Sequence, residues 1–196
     1  AHEGNFELAR AGSSASSFSG LEALAEEGDV SGVIARFAAD SDGVDTVIFA
    51  PEGFAGAPVF EPTETVSESL DITDPRTQRY FSYASMVIPS NDAFIANLNP
   101  RSIELFDRSG NFNGARSITI YGRDIWDAGT EVNDPAGGAA FSTVGGASAD
   151  ENGMIRRHEG LNDFVGTGLP TDENLLAAFA DMTPIGRITI SMEDLQ

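Results

Sequence analysis

RSITIYGRDIWDAGTEVND, residues 116–134, sets two patterns side by side. In its first half Ile118 and Ile120 alternate with Thr119 and Tyr121, the two-residue period of a β-strand. Its second half, Asp124 to Asp134, is a short acidic loop with Gly129 in the middle and the single tryptophan, Trp126, near its start. Carboxylates converging on such a loop suit a hard cation, and a glycine lets the backbone turn so that carbonyls can join them. Taken alone, in a chain with 31 acidic residues, the loop reads as a solvated acidic turn.

Working outward from this stretch, β-type runs dominate. VDTVIFA (44–50), TVSESLDI (65–72), RYFSYASMVI (79–88) and SIELFD (102–107) read as strands, and SIELFD leads through the turn DRSGNFNG to RSITIYGRD as its expected partner. DAFIANLNP (92–100) reads as a strand or a helical turn, and PIGRITISME (184–193) as a closing strand. Helices come early and late. Ser19 and Glu22 have capping-box spacing ahead of an apolar stripe at Leu21, Leu24 and Ala25 that Gly28 ends. Asp29 or Ser31 caps a second short helix through Val33, Ile34 and Phe37, and Thr171 or Asp172 a third over ENLLAAFADM. Residues 133–159 are rich in Gly, Ala, Ser, Asn and Asp and read as a long excursion. Seven or eight strands with few helices predict an all-β chain, an antiparallel β-sandwich forming one domain over residues 1–196.

Composition narrows the function. A formal charge of -20 with only 11 basic residues argues against nucleic acid and anionic lipid, and makes cations the natural partners. No run approaches the roughly 18 apolar residues of a membrane span. Cysteine is absent, so thiolate metal sites and disulfides are excluded. The acidity and the abundance of Gly, Ser, Thr and Asp lean toward salty or extracellular surroundings, with the cytoplasm of a salt-accumulating organism as the alternative.

Catalysis has few ingredients. His2 and His158 are the only neutral-pH bases, no G-x-S-x-G elbow occurs, and the two histidines lack transition-metal spacing. A hard cation fares better. Asp92 follows Pro89 at a strand end, while Asp127 and Glu131 lie four residues apart across Gly129, and loops at one end of a sandwich can bring them together.

Four stretches then resemble the spondin N-terminal domain family, the module of F-spondin and mindin that also occurs in bacterial secreted proteins. They are AHEGNFELARAGSSASSFSGLEALAEEGD, FSYASMVIPSNDAFIAN, IWDAGTEVND and PIGRITIS, in the family's order. The resemblance implies a β-sandwich, secretion, matrix or surface association, and a calcium site. The family's ligand positions fall on Asp92, Asp127 and Glu131, where the third is often aspartate in animal members. The animal domains also carry cysteines absent here. Family members usually place a strand before the histidine segment, whereas this sequence opens at Ala1-His2. That predicts a sheet edge completed by a strand from an identical subunit or another extracellular protein. The expectation is thus a binding module rather than an enzyme: a secreted calcium-binding β-sandwich in adhesion, extracellular matrix or surface assembly. The alternatives are an extracellular hydrolase using acidic residues with His158 and Arg156 or Arg157 near a pocket, or a structural subunit without a metal.

Overall fold

A computed structural model describes residues 1–51, 59–88, 90–134, 148–159 and 182–193. Within them lie two α-helices, α1 (Leu21–Glu27) and α2 (Ser31–Asp40), and six strands. The strands are β1 (Ala84–Met86), β2 (Ala93–Ala96), β3 (Arg116–Tyr121), β4 (Ile125–Asp127), β5 (Arg156–Arg157) and β6 (Pro184–Ile190). All pairings are antiparallel, in a four-stranded sheet of order β1-β2-β4-β5 and a two-stranded sheet of β3 and β6. The chain is therefore mainly β, with short strands.

The period-2 pattern of β2 explains how the larger sheet is held. Phe94 and Ala96 join Phe6, Leu8, Phe18, Leu21, Leu24 and Phe37, so the N-terminal segment and both helices cover one face. Ala93 and Ile95 face the other way, against Val87, Ile125 and Ile185 of β6. Phe94 is fully buried, and a side chain of this kind contributes about 1.5–3 kcal/mol on leaving water. A third cluster gathers Ile103, Leu105 and Phe106 with Ile118 of β3 and Ile190 of β6.

Several expected elements differ. The helix over Leu21–Glu27 forms as expected and ends at Gly28, but Gly20, at φ 85°, precedes it without a side-chain cap, so Ser19 is not its cap. The second helix is likewise entered through Val30 without a side-chain cap, so neither Asp29 nor Ser31 is its cap, although Asp29 accepts the Ser31 amide at 2.8 Å. Residues 44–50 and 65–72 form no strand, although Val66, Leu70 and Ile72 are half-buried as the alternation predicts. The SIELFD run makes only isolated bridges, Tyr80 with Glu104 and Phe106 with Phe112, and β3 pairs with β6 instead. Ile118 and Ile190 then share one apolar cluster with Ile103, Leu105 and Phe106 of that run. The turn residue Pro89 and the expected helix ENLLAAFADM, but for Met182, lie outside the described residues.

Candidate cation site

Antiparallel pairing of β2 with β4 sets Ala93 opposite Asp127, so Asp92 arrives beside the end of β4. The Ala128 amide donates to the Asp92 carbonyl at 3.2 Å. Both aspartates are wholly buried, at 0% exposure. Burying a carboxylate is costly unless its oxygens are paired, so the donors around each one decide what the site can do.

Asp127 is saturated. Its Oδ1 accepts the Gly129 amide at 2.8 Å, closing the turn, and its Oδ2 accepts the Asn133 amide nitrogen at 2.7 Å and the Arg156 guanidinium at 3.1 Å. Arg156 reaches it because β5 places that residue directly across from Asp127, and the same guanidinium also holds Glu151 at 3.2 Å. The turn depends on Gly129, whose φ is 70° and where a Cβ would come within 2.8 Å of the Gly153 and Met154 backbone.

Asp92 is lopsided. Its Oδ2 accepts the Thr130 amide at 2.8 Å, the Thr130 hydroxyl at 3.3 Å and the Glu131 amide at 3.2 Å. Its Oδ1 is buried and has no hydrogen-bond partner among the described residues. The neighbouring Asn91 accepts the Asp134 amide at 3.3 Å, and its Nδ2 is likewise buried and unpartnered. Burial, reinforced by the Asp127 charge and opposed by the Thr130 and Glu131 donors, raises the Asp92 carboxyl to about 6.

More negative charge lies behind Thr130. Glu26, near the end of α1, faces the same cleft as Thr130. Burial first, with Glu131, Glu22 and Asp92 adding to it, raises the Glu26 carboxyl to about 7. It lines a polar cleft of about 250 Å³ with Glu22, Thr130, Asp150 and Glu151.

The geometry thus brings Asp92 and Asp127 together. Glu131 is half-buried and meets Asp92 through its backbone amide. Among the described residues no three acidic or histidine side chains converge as a metal-ligating group. The donor chemistry at the aspartate pair nevertheless fits a hard cation, because a buried, bare carboxylate oxygen beside a second carboxylate is an oxygen ligand without a partner. Sequence reasoning missed Glu26, whose helix-end position carries no signal, and Asn133. It also missed that Arg156 is the counter-charge of Asp127, because a two-residue strand has no readable period. His158 lies near this network, its Nε2 3.2 Å from the Asn133 side-chain oxygen. Comparisons of the chain with protein-family models, with curated proteins and with solved structures gave no match in any of the three.

Proposed function

We propose that this chain is a calcium-binding β-sandwich module of the spondin N-terminal type, acting outside the cell in adhesion, an extracellular matrix or a surface assembly. The observation that carries the metal reading is the bare, buried Oδ1 of Asp92 beside the Asp127 carboxylate. Asp92 and Asp127 would hold the ion, with Glu131 at the rim. Calcium supplies positive charge there and so offsets the repulsion among the packed carboxylates. Binding the folded state alone, it stabilises the fold by mass action. The four family-like stretches and the charge of -20 support the extracellular part of the reading.

Calorimetric titration with calcium tests it. Saturable binding to the wild type, lost in Asp127→Ala, is expected, together with a calcium-dependent rise in melting temperature confined to the wild type. Equal melting shifts in both proteins would count against this site.

Self-association by strand exchange is a second part of the proposal. It rests on the β-patterned segment 44–50, which forms no strand and leaves Ile48 and Phe49 exposed at 48% and 56%. A monomer at high concentration, unaltered by Phe49→Asp, would remove it. Hydrolysis is the rival reading, and the raised carboxyl of Glu26 in its polar cleft is the observation in its favour. Turnover of acidic or neutral glycosides that Glu26→Gln abolishes would establish hydrolysis over binding.

A further inference from the structure

All basic side chains other than the two histidines are arginines, and two of them meet at one cleft. Among the described residues this cleft, of about 390 Å³, is lined by Arg123, Asp124, Arg157, His158 and Met182. It lies at the β5 edge of the four-stranded sheet, beside the 3-10 turn Gly122–Asp124 that joins β3 to β4.

Each guanidinium rests on an aromatic ring. Arg157 sits 3.7 Å from the ring centre of Trp126, its cross-strand partner, and Arg123 sits 5.2 Å from that of Tyr121. Stacking fixes the plane of a guanidinium and leaves its N–H edge for an oxyanion, a geometry lysine cannot reproduce. Among the described residues neither arginine makes a hydrogen-bonded ion pair, although Asp124 lies within ion-pair range of Arg157. The carboxylate facing Arg157 among the described residues is Asp124, at 3.9 Å and so beyond hydrogen-bond reach, while Arg123 donates to the Met182 sulfur at 3.0 Å. Arg156, one residue before Arg157, instead holds two carboxylates. Burial lowers the Arg157 pKa from its ordinary value, Asp124 opposes the shift and the Arg123 charge adds to it. Two like charges share the cleft, and a bound anion would relieve their repulsion. Asp124 gives one oxygen to the Tyr121 amide at 2.9 Å, and its other oxygen is the one toward Arg157.

We propose that this cleft binds a small hydroxylated acid about one sugar ring in size. Its carboxylate or sulfate lies between Arg123 and Arg157, and one of its hydroxyls donates to Asp124. The volume falls in the range of small-molecule sites. The chain's formal charge of -20 repels an extended polyanion along its whole approach, which selects a ligand whose charge sits in one group.

Calorimetric titrations with glucuronate, glucose and inorganic sulfate, at constant ionic strength set with chloride, test the assignment. Glucuronate binds saturably, sulfate binds more weakly, and glucose gives no saturable heat. Arg123→Gln and Arg157→Lys each weaken glucuronate binding by about tenfold or more while melting like the wild type. Arg108→Gln, an exposed arginine outside the cleft, leaves it unchanged. Absence of saturable glucuronate binding, or equal affinity in wild type and Arg123→Gln, would overturn the proposal. Sulfate binding as tight as glucuronate would overturn the hydroxyl contact with Asp124.

Discussion

Removing the charge of Asp92 should change how stability depends on pH, and the size of the change follows from the site. In the folded chain its carboxyl titrates at about 6, against an ordinary 3.8, chiefly because it is buried and also because Asp127 is beside it. A folded-state acid with a raised pKa favours the fold below the unfolded value and loses that contribution as pH rises through the folded value. A difference of roughly 2.2 pH units corresponds to about 3 kcal/mol, lost between about pH 4 and about pH 6. Asp92→Asn removes the titration. Its amide leaves a buried donor where Oδ1 stood, which costs about 1–3 kcal/mol at every pH. The variant is therefore the less stable protein in acid and matches or exceeds the wild type at neutral pH. The assay is urea unfolding of both proteins without calcium, from about pH 3.5 to about pH 7. Groups remote from the site, such as His2, whose pKa burial lowers to about 4, shape both curves alike, while Glu26, whose carboxyl the Asp92 charge helps to raise, ionises more easily in the variant and widens the difference in the same direction. Parallel curves across the range would refute the reasoning, because Asp92 would then titrate as a solvated carboxyl. Saturating calcium should flatten the wild-type loss above about pH 4, since the ion binds the ionised form.

Two further outcomes follow from the same residues. Gly129→Ala places a side chain at positive φ against the Gly153–Met154 backbone and should lower stability by more than about 1 kcal/mol, read as a fall in melting temperature. A loss within experimental error would show that the turn relaxes freely. Arg156→Gln removes the resident positive charge on Asp127, so it should destabilise the calcium-free protein yet tighten calcium binding, measured by titration. Weakened calcium binding would mean that Arg156 organises the site rather than competing for it.

How far the sequence reaches can be judged from particular elements. Helices α1 and α2 were legible because Leu21, Leu24 and Phe37 sit at helical spacing and all enter one cluster. Ile118, Ile120, Ile188 and Ile190 marked β3 and β6 but not their pairing, which depends on a long-range apolar cluster. TVSESLDI shows the boundary clearly: its alternation correctly sorts half-buried from exposed residues, yet alternation carries no information on whether a neighbouring edge exists. At the site, Asp127 was legible as a strand-end acid, whereas Asp92 stands just before β2 rather than at the end of a strand, and the antiparallel β2–β4 register makes the two neighbours. The partners of their oxygens were not legible. Arg156 reaches Asp127 across a two-residue ladder, and Thr130 meets Asp92 only after the chain folds.

Trp126 offers the most direct measurement of the central claim, because the chain's only tryptophan immediately precedes Asp127. Terbium is a hard, oxygen-seeking ion like calcium, and it luminesces when a nearby excited indole transfers energy to it. Titration of the wild type with terbium under tryptophan excitation should give saturable luminescence that calcium displaces, and Asp92→Asn and Asp127→Asn should each abolish it. Luminescence that persists in both variants, or that never develops in the wild type, would contradict a cation held between Asp92 and Asp127.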